Sequence, residues 1–168
     1  RAFDPCLWRD PGGTLWLFWA QGVTHWDGRA GVWAMTAADP DAAAPVWSAP
    51  RRICDGIMMN KPTVTRAGVW LLPAAIWAMP SNKVPGPEYV VDTTATTGSW
   101  VVCSKAQGKT FAPLGRSNVA GRACDEHIVV EKNDGALWML VRTKYGIGES
   151  FSQDGGVTWS EGQPSMTV

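Results

Sequence analysis

The segment Ser152-Gln-Asp154-Gly-Gly156-Val-Thr158-Trp159 decides how the rest of the chain is read. It satisfies the pattern Ser-x-Asp-x-Gly-x-Thr-Trp at every defined place, and each place has a physical reason. Asp154 can accept hydrogen bonds from nearby backbone amides, Gly156 permits a positive φ angle, and Trp159 packs between strands. Such an element is a rigid hairpin tip, so β-strands are expected on either side of it. A degenerate copy lies upstream as Ser104-Lys-Ala-Gln-Gly108-Lys-Thr110-Phe111, which keeps the Ser, Gly, Thr and aromatic places and lacks the Asp. A fainter trace spans Thr36 to Trp47, with its turn rewritten as Asp39-Pro-Asp-Ala.

Working outward from these tips, three segments share one plan: a short strand, a turn, then a second strand carrying a tryptophan. They run Asp4–Trp19, Lys61–Pro73 and Glu126–Arg142, with Trp16, Trp70 and Trp138 at the matching place. The turns Asp-Pro-Gly-Gly, Arg-Ala-Gly and Asn-Asp-Gly separate apolar, β-favouring runs, which is a hairpin signature. The tryptophans lie 54 and 68 residues apart, longer than the roughly 40–50 residues of common propeller repeats, so inserted loops are expected. A further strand pair follows each hairpin: Gly31–Thr36 with Val46–Ile53, Trp100–Ser104 with Phe111–Gly115, and Gly148–Ser152 with Trp159 onward. The Pro-, Gly- and Thr-rich stretch Lys83–Thr97 reads as an insertion in the middle unit.

This predicts an all-β chain of about three four-stranded blades, with approximate limits 1–53, 54–118 and 119–168, forming part of one β-propeller. Blades protect their edges by radial repetition, so three form an incomplete object. Both ends of the sequence read as cut. The competing architecture is an independent sandwich of twelve short strands.

Composition narrows the classes. The 168 residues carry 15 basic and 15 acidic side chains, a balance unlike the basic footprint of nucleic-acid binders. No apolar run is long enough to span a bilayer. Eleven tryptophans against four phenylalanines and two tyrosines suit a β-rich core and the stacking surface of a sugar site. Cys6, Cys54, Cys103 and Cys124 are too far apart for a CxxC-type metal or redox motif, and either disulfides or buried free thiols account for them. No metal or other cofactor is expected.

With its box motifs, the chain resembles the sialidase (neuraminidase) superfamily of Asp-box, or BNR, repeats, most closely from Cys124 to Gly162. The resemblance implies a propeller of six blades, an exported protein (secreted or periplasmic), and a glycan or glycoconjugate as partner. It implies an exo-glycosidase that hydrolyses terminal acidic sugars such as sialic acid. It also implies that the box residues Ser152, Asp154, Gly156, Thr158 and Trp159 are structural. In the family a tyrosine nucleophile is activated by a glutamate, because an anionic nucleophile would repel the substrate's carboxylate. Arginines grip that carboxylate through paired charge-assisted bonds, and an aspartate serves as acid and base.

Carried over place by place, the glutamate is Glu126 and one clamp arginine is Arg142. An antiparallel hairpin brings the start of one strand beside the end of the next, so the two are expected on one rim. A purely structural salt bridge is the plain alternative. Glu131 reads as a solvated strand residue. The repeat alignment puts Asp4 and Lys61 at the place of Glu126, so Asp4, Asn60, Lys61 and Glu126 are candidates to line a central funnel and touch substrate. His127 is a further substrate-binding candidate because it titrates near neutrality, but alternation turns it to the face opposite Glu126, which favours a hydrogen-bonded structural role. His25, in the loop Thr24-His-Trp-Asp27, is a candidate rim residue.

The chain departs from the family where Phe3-Asp4-Pro5 stands in place of an Arg-Ile-Pro segment. No acid/base aspartate can be placed, Tyr145 follows Arg142 too closely to be the nucleophile, and that tyrosine and the last arginine are expected beyond Val168. Two other functions remain open: a non-catalytic carbohydrate-binding propeller, and a related lyase or hydrolase acting on uronic-acid glycans.

Overall fold

The computed structural model describes residues 1–23, 26–77, 84–122 and 124–166. The chain is all-β, and its three antiparallel sheets are those of a partial propeller with no closed barrel. The first sheet holds β1 (Ala2–Arg9), β2 (Leu15–Gln21), β3 (Gly31–Ala37) and β4 (Arg51–Asp55) in sequence order. The second holds β5 (Ile57–Met58), β6 (Thr63–Val64), β7 (Trp70–Ile76), β8 (Gly98–Ser104) and β9 (Ala112–Ser117). The third holds β10 (Ile128–Glu131), β11 (Leu137–Thr143), β12 (Gly146–Ser152) and β13 (Gln163–Pro164).

Two departures from the expected strands have prolines behind them. Residues 46–50 are not a strand: Trp47 makes a single bridge to Ala37, and β4 begins only after Pro50, which has no N–H to extend a ladder. The inner strand of the second sheet is broken in two. β5 pairs with Ala74 and Ala75 while β6 pairs with Trp70 and Leu71, leaving a gap opposite Leu72 and Pro73. A central strand tolerates proline where no donor is needed on that edge.

Burial patterns give the stacking order. β7 reads Trp-Leu-Leu-Pro-Ala-Ala-Ile and is buried at every position but the last, as expected of a strand covered on both faces. Trp70, Leu72 and Val102 pack with Trp16, Phe18 and Val32 of the first sheet. Their alternates Leu71 and Val101 pack with Val129, Leu137 and Met139 of the third. By contrast, β2 and β11 alternate buried with half-buried positions, so each outer sheet presents one covered and one open face.

The box turns clip one sheet to the next. The Oδ1 of Asp154 accepts from the Ser152 hydroxyl (2.8 Å) and from the amides of Val157 (3.1 Å) and Thr158 (2.9 Å), while its Oδ2 accepts from the Thr158 hydroxyl at 2.6 Å. These bonds, with the two from Thr158 foremost, hold its carboxyl down at about 2. The Gly156 amide donates to Ser152 Oγ at 2.8 Å. In the degenerate copy the Gly108 amide donates to Ser104 Oγ, also at 2.8 Å. Gly108 packs so closely that a Cβ there would stand 2.6 Å from both Trp16 of the first sheet and Trp70 of its own.

The faint first trace keeps the closing part of the motif. Ser48 donates its amide to Thr36 O and accepts the Thr36 amide on its hydroxyl (2.8 and 3.0 Å), as Ser160 does with Phe151 (2.7 and 3.0 Å). The degenerate turn also carries a strained residue, Gln107 at φ +50°, where the intact box has Gly155 at φ +73°. Substituting Gln107→Gly together with Ala106→Asp is therefore expected to stabilise the chain by about 1 kcal/mol. The check is a thermal or urea midpoint, and an unchanged or lowered midpoint would show that the two turns are not equivalent.

Candidate functional site

Antiparallel order divides the structure into two rims. One carries the turns and connections, including the box, which link the first strand of each sheet to the second and the third to the fourth. The other carries the described residues that connect β2 to β3, β7 to β8 and β9 to β10, together with the starts of β1, β5 and β10. The candidate residues fall on this loop-bearing rim, opposite the box.

Glu126 and His127 stand just before β10, in the loop that joins the second sheet to the third. Arg142, near the end of β11, donates from Nη1 to Glu126 Oε1 at 2.5 Å, with side-chain exposures of 53% and 31%. The pair is solvent-accessible, and it is the contact that the hairpin geometry predicts.

The backbone beneath Glu126 is held from both sides. Asn60 donates its amide to the carbonyls of Glu126 (3.3 Å) and His127 (3.0 Å), tying the loop to the segment between β5 and β6. The His127 ring is buried, with Nδ1 3.0 Å from Asp125 O and Nε2 2.8 Å from Trp100 O. Burial is the largest influence on it and pushes its pKa below the ordinary imidazole value. Both neighbours are acceptors, so a neutral ring donates to only one of them. His127 thus fills an inter-sheet position and does not reach the surface in the way a substrate contact must.

Arg122 and Asp125 complete this support, and sequence reasoning missed both. Arg122 Nε pairs with Asp125 Oδ2 at 2.8 Å, with side-chain exposures of 11% and 3%. The same guanidinium donates from Nη2 to Thr97 Oγ1 at 2.7 Å and from Nη1 to Asn118 Oδ1. Burial raises the Asp125 carboxyl above its usual range, against the lowering influence of Arg122 and His127. The only sequence signal for the pair is an Arg-x-x-Asp spacing beside Glu126, in a loop with no periodicity to mark it.

Lys61 is exposed and lines a hollow of about 490 Å³ with Pro5, Leu7, Met59, Asn60 and Ile128. Asp4 sits outside this lining. It occupies the bulge that shifts the β1–β2 register between Phe3 and Cys6, at φ +52°. The structure therefore brings Asn60, Glu126 and Arg142 together, with Lys61 next to Asn60, and leaves Asp4 near the start of β1 outside the lining of the hollow. Tyr145 lies in the β11–β12 turn, half exposed. His25 and Lys83 lie outside the described residues.

All four cysteines are free, and burial pushes the Cys54 thiol up to about 12. Among the described residues no group of three or more His, Cys, Asp or Glu side chains is placed to hold a metal ion. No helix among them is long and apolar enough to cross a membrane.

Comparison with known proteins bears on the family and the fold. A family model described as a BNR repeat-like domain matches residues 1–168. No curated protein matches the chain. Among solved structures, the crystal structure of a protein of unknown function from Dyadobacter fermentans DSM 18053 superposes with a TM-score of 0.61 at 17% identity. The alignment covers 95% of this chain and 53% of that one, so the chain spans about half the length of that structure.

Proposed function

Since the chain belongs to the BNR repeat-like family, we propose that it forms part of a sialidase-like exo-glycosidase that removes terminal acidic sugars from glycans. The observation that carries this reading is the accessible Glu126–Arg142 pair, 2.5 Å apart on the loop-bearing rim opposite the box. In this reading Glu126 is the catalytic carboxylate that draws the proton from the nucleophile. Arg142 fixes its orientation and offers the rest of its fork to the substrate's carboxylate. Asn60 works through the backbone of Glu126, and Lys61 faces the ligand. Asp154 keeps a structural role. Such chemistry fits an exported protein acting on external glycoconjugates.

The test is Glu126→Gln in the longest form of the protein that contains this chain, assayed on fluorogenic glycosides of acidic sugars. Turnover is expected to fall about a hundredfold or more with the melting temperature unchanged. Near-normal turnover in the variant would remove Glu126 from the chemistry. Sugar binding without product release by the unsubstituted protein would instead favour a carbohydrate-binding propeller. An ultraviolet-absorbing unsaturated product would favour a lyase on uronic-acid glycans.

A further inference from the structure

The hollow beside Lys61 combines features found together nowhere else on the described rim. It lies where the innermost strands of all three sheets come together, and each contributes an exposed apolar side chain. These are Leu7 of β1 (52% exposed), Met59 just after β5 (37%) and Ile128 of β10 (37%). Pro5 adds a further apolar wall.

Lys61 is the only charged residue in that lining, and no carboxylate of the described residues lies within ion-pair distance of its ammonium. Five arginines of the rim are already engaged. Arg52 pairs with Asp55, Arg122 with Asp125 and Arg142 with Glu126. Arg116 donates to the carbonyls of Ala95 and Thr97, and Arg29 to that of Glu88.

An unpaired lysine beside exposed apolar side chains is complementary to a ligand with one anionic group and one C–H-rich face. A pyranose bearing a carboxylate has both, and an apolar surround strengthens a charge pair relative to open water. Asn60 spends its N–H groups on backbone carbonyls and keeps its Oδ1 as an acceptor for a ligand hydroxyl.

We infer that this hollow is the recognition site for the carboxylate-bearing sugar, with Lys61 as the group that reads its charge. The inference rests on the acidic-sugar reading above and deepens it. Lys61 acts as a point charge here, whereas Arg142 has one arm of its fork committed to Glu126.

The experiment is a titration of the chain, by calorimetry or NMR shift perturbation, with N-acetylneuraminate, glucuronate and, as the neutral control, glucose. At least one acid is expected to bind more tightly than glucose. Lys61→Met is expected to weaken that acid about tenfold, Lys61→Arg to restore most of the affinity, and Lys144→Met, on the same rim, to leave it within about twofold. Three results would overturn the inference: equal binding of acids and glucose, no binding of either acid, or a Lys61→Met loss smaller than that of Arg142→Met. Charge-selective binding through Lys61 in a protein that never releases sugar would uphold the recognition site while rejecting the hydrolase reading.

Discussion

Replacing Arg122 with methionine is expected to lower the unfolding free energy by about 3–5 kcal/mol, because it strips a buried carboxylate of its counter-charge. The Asp125 side chain is 3% exposed, so water cannot take the place of the guanidinium. The same substitution removes the bond to Thr97 that fastens the 118–127 segment to its neighbour, and the bond to Asn118 that braces the segment internally. The loss should depend on pH in a defined sense. Burial already raises the Asp125 carboxyl in the intact protein, and losing Arg122 raises it further. A folded state that holds its proton more tightly than the unfolded chain gains stability as the pH falls through the interval between the two values. The deficit is therefore largest near pH 7 and narrows as the pH is lowered towards about 5. Urea unfolding at both values reads this directly. Adding Asp125→Asn should recover most of the loss, and a single variant within about 1 kcal/mol of the parent at neutral pH would sink the argument.

The second large effect is expected from Gly115→Ala, a change of one methyl group on an outer strand. Gly115 in β9 faces the box turn of the third sheet. A Cβ there would press into the carbonyl oxygens of Gly156 and Val157 and lie 2.9 Å from the Val157 carbonyl carbon. These are backbone atoms of a turn braced by Asp154, so they cannot move aside as a flexible side chain would. The substitution should cost about 3 kcal/mol through overpacking. Hydrogen exchange should show the loss concentrated at the junction of the second and third sheets. Gly68→Ala makes the comparison: its Cβ would meet nothing within 4 Å, so its penalty should come from its φ of +77° alone and be about 1 kcal/mol. Equal losses for the two would show that the clip is soft.

Much of the architecture was legible because it is written in local chemistry. The box fixes its own turn, the tryptophan repeat marks the second strand of each sheet, and Gly-containing turns separate the strands. The broken inner strand was less visible: Pro62 and Pro73 are plain in the sequence, but only the ladder shows that the gap falls opposite Pro73. The end of the first trace was also hidden, since Thr36 and Ser48 reproduce the Phe151–Ser160 closure across a longer connection.

At the site, the Glu126–Arg142 contact follows from one hairpin and could be read from spacing. The Arg122–Asp125 pair and the burial of His127 depend on how a loop lies against the neighbouring sheet, and no periodicity encodes that. His127 shows the difference most clearly. The sequence offered both an acid or base and a hydrogen-bonded structural role, and the place between two carbonyl oxygens, Asp125 O and Trp100 O, is that of a strut.

The separation of the two rims has an evolutionary consequence. The turns that lock neighbouring sheets and the loops that frame the candidate site share few residues, so mutations can accumulate in one without disturbing the other. A lineage that kept Ser152, Asp154 and Gly156 would be free to exchange the loops at 22–30 and 77–97 for others of different length and charge. New ligand preferences could then be explored on an inherited scaffold, with the folding information stored at the opposite end of every strand.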